Sequence, residues 1–213
     1  MIQETAHAAL GGWEDFYLIV GSAAAALTGL QFVVITLISE ARNRTSTGAL
    51  GAFATPTIVH FCAALFVSVV MCAPWPRLPE PAFVIGAGGA AGLAYTGIVV
   101  LRATRQTDYQ MVTEDWIWHV SFPVVAYGAQ LVAGFLLVRA TMVASFTVAA
   151  SSLLLVYIGI HNAWDTSTYM IEERARREGA EQATRESPPA PAAAAPPPAG
   201  APAGGLATPT ETR

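Results

Sequence analysis

Two pairs of residues in this chain have the type and spacing to do chemistry: Asp115 with His119, and His161 with Asp165. Each pair is four residues apart, so on a helix both members share one face. An imidazole beside a carboxylate can bind a divalent metal, with His as ligand and Asp as ligand or orienting partner. It can also pass protons, because histidine titrates near neutral pH. Two histidines on facing helices can hold a haem iron. His60 lies in another apolar run and can join the set. The plainer reading is that a helix-end His one turn from an Asp only satisfies its own N–H. No HExxH, CxxC or clustered Cys/His set supports a metal centre, and neither GxSxG nor a P-loop appears. No cofactor is therefore expected, with a divalent metal or haem as the alternative, and no catalytic residue is assigned.

The elements that must carry these residues are read from composition. Of 213 residues, 54% are hydrophobic and only 12% charged, where soluble domains average about 25% charged. Mean hydropathy is +0.47. The net charge of -4 offers no basic footprint for nucleic acid. A spanning helix needs about 20 mostly apolar residues. Five uncharged stretches qualify: Phe16–Ile38, Thr55–Pro74, Pro81–Leu101, Ile117–Val138 and Thr141–Ala163. Between the last two, Arg139 is the lone charge and no Gly or Pro marks a turn. Length decides the point: Ile117–Ala163 as one helix would be about 70 Å long against a hydrocarbon core of about 30 Å. The chain is expected to fold back there, with Arg139 snorkelling at the bend. The predicted fold is all-α, an integral membrane bundle of five transmembrane helices.

Arginine placement gives an expected orientation. Arg42, Arg44, Arg102, Arg105, Arg174, Arg176 and Arg177 fall on one side, and only Arg77 and Arg139 on the other. By the positive-inside rule the N-terminus, residues 1–15, is outside and the C-terminus cytoplasmic. Trp13, Trp75, Trp116, Trp118 and Trp164 all fall at predicted helix ends, where amphipathic rings prefer to sit. The opening residues lack a basic n-region, and the first apolar run is longer than the roughly 7–15 residues of a signal h-region, so it is expected to remain as a span. In this topology His60, His119 and His161 lie in the cytoplasmic leaflet and His7 outside.

Small residues recur every fourth position at Gly21, Ala25 and Gly29 in the first span and at Gly88, Gly92 and Thr96 in the third. Such faces let helices approach closely, either within the bundle or between chains. Gln31, Tyr95, Thr96 and Gln130 are expected to bond across to neighbouring helices, alongside the intramembrane polar residues His60 and Asn162. Pro56 and Pro123 are expected to kink the second and fourth spans or mark their early turns. Cys62 and Cys72 are ten residues apart on one helix, about 15 Å, beyond disulfide reach, and are expected as buried inert thiols. Residues 172–186 form a charged cytoplasmic stretch of helical composition. From Ser187 the chain is Pro/Ala/Gly-rich and is expected to be a disordered tail.

The segments WEDFYLIVGSAAAALTGLQFVV (Trp13–Val34) and GIHNAWD (Gly159–Asp165) resemble the opening and closing motifs of a little-characterised family of small bacterial multi-pass inner-membrane proteins. The match covers about a third of the chain. The resemblance implies a bacterial plasma-membrane location, and some members of that family are labelled modulators of a membrane AAA protease. The expected function is a non-enzymatic membrane protein acting by helix–helix association as a scaffold or modulator. Its partners would be the lipid bilayer and either itself or another membrane protein, with no nucleic acid. The alternatives are a metal- or haem-binding redox or proton-handling protein using His119, His161, Asp115 and Asp165, and a small oligomeric channel.

Overall fold

A computed structural model describes residues 9–41, 47–103 and 116–186. Among the described residues the regular structure is entirely helical, and five segments are long and apolar enough to cross a membrane. The chain enters through a short 3-10 turn, Gly11–Trp13, and continues as α1 (Glu14–Ala41), α2 (Thr47–Cys72) and α3 (Pro79–Ala103). A π-helical turn, Ile117–Ser121, then leads into α4 (Phe122–Leu136), and α5 runs Thr141–Glu186. The first, third and fifth predicted spans sit inside α1, α3 and α5, whereas the second and fourth overrun their helices at Pro74 and Val138, and α5 continues to Glu186. The predicted fold-back at Arg139 is present: the backbone N–H groups of Arg139 and Ala140 both close onto the carbonyl of Leu136, at 2.9 and 2.7 Å. The bundle ends at Arg174. In the unit beyond it, Ala175–Glu186 is helical with every side chain exposed, as its alternating charge predicts. The tail from residue 187 lies outside the described residues.

Packing begins with two antiparallel pairs. Along α1 and α2 the contacts run from Glu14 against Cys72 to Gly21 against Ser68 and Leu65. Along α3 and α4 they run from Gly86 against Gly134 to Gly92 against Tyr127. Glycine makes the second pair tight. A Cβ on Gly134 would lie 2.7 Å from the N and Cα of Gly86, and one on Gly89 would lie 2.7 Å from the Tyr127 carbonyl oxygen. Both are backbone contacts that cannot yield, so only glycine permits this approach. α5 packs with larger side chains, Val148 and Ala149 joining one apolar cluster and Leu155 and Ile158 another.

The bundle turns many large apolar side chains outward and encloses several polar ones. Large hydrophobics such as Ile19 (70% exposed), Phe83 (76%) and Phe135 (70%) face outward, while Thr57, His60, Ser68, Thr96, Gln130, Ser152 and Asn162 are buried. A soluble fold would expel those polar groups; a hydrocarbon solvent favours the reverse. Cys62 and Cys72 follow the same logic. They were expected to be buried, but both face outward, because an apolar run in a membrane helix can meet lipid as readily as a core.

Pro123 does not kink α4. It sits at the start of that helix, directly after the π turn. A proline there cannot donate to the carbonyl of His119 and its ring crowds that group. The widened turn accommodates it, with the Phe122 N–H reaching back to Ile117 and Ser121 Oγ donating to the Trp116 carbonyl at 3.2 Å. Pro56 lies inside α2, nine residues after its first residue.

Candidate functional site

The end of the bundle where α2, α4 and α5 meet holds most of the residues with chemical potential. His60, 2% exposed on α2, shares a 2.9 Å hydrogen bond through Nδ1 with the Tyr127 hydroxyl of α4, itself 1% exposed. Which of the two donates depends on the imidazole tautomer. The Tyr127 ring reaches this position because it lies flat on Gly92, where any Cβ would strike it. The result is a phenol–imidazole bridge between two helices.

A second group lies on the inner turns of α5. The His161 ring stacks on the Trp118 indole with centroids 3.7 Å apart and planes 16° from parallel. Its Nε2 lies 2.9 Å from Asp165 Oδ2, one turn along the same helix. That approach is an ionic contact when the imidazole is protonated, and is not aligned as a hydrogen bond. Trp118 also meets Phe122 edge-on at 4.9 Å, so the π turn is tied to both α4 and α5. Next to His161, Asn162 is 2% exposed and neither amide atom has a hydrogen-bond partner. Gly159, one turn earlier, lies against the Phe61 ring of α2, at 2.8 Å from Cδ1 to a built Cβ. This contact sets the register of α5 on α2.

Of the residues singled out in the sequence, the structure therefore joins His161 to Asp165 and to Trp118, and His60 to Tyr127, while His119 lies in the π turn. Asp115 lies outside the described residues. Among the described residues no three of His, Cys, Asp and Glu come together as a metal-holding group. Two of the uncharged polar residues differ from expectation. Thr96 Oγ1 donates to the Gly92 carbonyl of its own helix at 2.9 Å and Gln130 Nε2 has no partner, while Tyr127 makes an interhelical bond. Tyr127 and Trp118 were not anticipated as site residues. Tyr127 carried the same signal as Tyr95, a phenol inside a span.

The small-residue faces divide. Gly21 and Gly92 are buried against Ser68 and Tyr127, and Gly88 touches Phe66 at 3.6 Å from a built Cβ. Ala25 and Gly29 point outward, and a Cβ on Gly29 would meet nothing. No family model, curated protein or solved structure matches the chain.

Proposed function

We propose that this protein acts by helix–helix association in a membrane, as a scaffold or modulator of a larger complex. The observation that carries this reading is the outward surface of the two least buried spans. On α1 it is Ser22, Ala25, Ala26 and Gly29; on α3 it is Ala87, Ala90, Ala91, Ala94 and Gly97. The same two helices also expose larger side chains, Ile19 and Phe83 among them, and α4 and α5 present Val125, Phe135, Phe146 and Tyr157. A smooth Ala/Gly face gains little from lipid tails and much from close contact with another helix. The arginine asymmetry and the resemblance of Trp13–Val34 and Gly159–Asp165 support a bacterial plasma membrane, with the N-terminus outside and the C-terminus cytoplasmic. The test is cysteine crosslinking in native membranes. Gly29→Cys, in a chain carrying Cys62→Ser and Cys72→Ser, should crosslink to a second copy or to another membrane protein, and Gly29→Leu should abolish association in mild detergent. A monomer that crosslinks to nothing would overturn the proposal.

A second reading is supported by the buried His60–Tyr127 bond: a proton-handling or metal-binding centre with divalent metal or haem as cofactor. Metal analysis and an absorption spectrum on the purified protein separate the two. A stoichiometric metal or haem band lost in His60→Ala would favour this centre over the scaffold.

A further inference from the structure

Among the described residues, Asn162 is the one buried amide whose nitrogen and oxygen are both unpartnered. Gln130 lacks a partner at Nε2 alone, and Tyr17 and Ser145 each leave a single hydroxyl unpaired. Inside a hydrocarbon solvent an unpaired amide has no bulk water to turn to, so its burial is unfavourable unless something fills its hydrogen bonds. Asn162 is 2% exposed, which leaves an enclosed occupant.

The register of α5 on α2 says what surrounds it. Gly159 rests on Phe61, and the two helices run antiparallel, because each successive pair from α2 to α5 does. One turn further along α5, Asn162 is level with the turn of α2 that holds Thr57, which is fully buried, next to the His60–Tyr127 bond. A buried water needs about two to four polar partners. The amide supplies a donor and an acceptor, and the phenol–imidazole pair lies within the same layer.

We propose that Asn162 anchors an enclosed hydration site, an ordered water held between α5 and α2 beside His60 and Tyr127. Water is the occupant whose size and dual donor–acceptor character match a single amide in a closely packed helix interface. The site makes this layer of the bundle wet while the apolar cluster around Val67, Met71 and Val148 stays dry.

Radiolytic hydroxyl labelling of the full chain in lipid nanodiscs tests it, since radicals formed from a bound water modify side chains that bulk solvent does not reach. Phe61 and Tyr127, each 1% exposed, should gain oxygen adducts at least threefold faster than Met71, which is 2% exposed and intrinsically more reactive. Asn162→Leu, close in volume but apolar, should bring that labelling down to the Met71 level. Phe61 and Tyr127 labelled no faster than Met71 in the wild-type chain would overturn the proposal, whether or not the variant folds. Labelling unchanged in a folded Asn162→Leu chain would overturn it as well, because the water would then be held by other groups.

Discussion

Gly134 of α4 and Gly86 of α3 meet backbone to backbone: a Cβ on Gly134 would lie 2.7 Å from both the N and the Cα of Gly86. A methyl group there has no flexible neighbour to displace, so the helices themselves must part. Gly134→Ala is expected to destabilise the bundle by about 1–3 kcal/mol, the usual cost of overpacking. Gly97 and Gly29, where a Cβ meets nothing, should behave oppositely. Their alanine variants should be neutral or stabilising by up to about 1 kcal/mol from helix propensity. Unfolding in mixed micelles with increasing SDS measures both, and equal effects at the two kinds of site would refute the packing assignment.

The His60–Tyr127 bond ties α2 to α4 through two buried side chains. Tyr127→Phe keeps the ring on Gly92 and removes only the hydroxyl. A double-mutant cycle of Tyr127→Phe with His60→Leu should return a coupling of about 0.6 kcal/mol, with about 1.7 as the ceiling for such bonds in membranes. Zero coupling in the folded double variant would mean that the bond does not form in a bilayer.

Gly159 and Phe61 form a matched pair of hollow and ring. Gly159→Ala is expected to cost about 1–3 kcal/mol, since Phe61 is enclosed and cannot swing away freely. Adding Phe61→Leu should return part of that loss, although the same change alone is destabilising. If the two losses simply add, the contact does not set the register of α5.

Pro123 explains the π turn, so its removal should undo it. Pro123→Ala restores an N–H that can bond to the His119 carbonyl, allowing the turn to tighten to α-helical form. Tightening by one residue rotates Ile117 and Trp118 by about 100° relative to α4. The Trp118–His161 stack should then be lost, seen as the disappearance of coupling between Trp118→Leu and His161→Ala in the proline-free chain. Coupling that survives would mean that the stack holds the turn.

Both cysteines are exposed, and the polar contact of Cys72 Sγ with the Glu14 carbonyl at 3.8 Å can also be made by a serine hydroxyl. The Cys62→Ser, Cys72→Ser chain should therefore unfold within about 0.5 kcal/mol of wild type, as is usual for surface substitutions. A larger loss would place at least one thiol in a packed interface.

Much of this architecture was legible in the sequence because its determinants are local. Length and apolarity mark the spans, and the 30 Å limit of a bilayer alone requires the turn at Arg139. The face that each helix turns inward was harder to read. Gly21, Ala25 and Gly29 share one spacing, yet Gly21 is packed and the other two are outside. In an all-apolar helix no hydrophobic contrast distinguishes core from lipid, so rotation is set by partners distant in sequence. The same limit hid Tyr127 as the partner of His60, sixty-seven residues away. The i,i+4 link between His161 and Asp165 was visible because one helix contains both. Its stacking partner Trp118 was not, since the π turn that presents it depends on a proline five residues later.

The inverted polarity of the bundle also governs how its sequence can drift. Positions such as Ile19, Phe83 and Phe135 face outward, so against acyl chains exchange among Leu, Ile, Val and Phe there should be nearly free, and only charge is barred. Positions such as Gly89, Ser152 and Gln130 answer to a neighbour's shape or polarity and admit few substitutes. Divergent copies of this chain would then keep their small and polar letters while their bulky ones scramble, the reverse of the pattern by which soluble cores are usually traced.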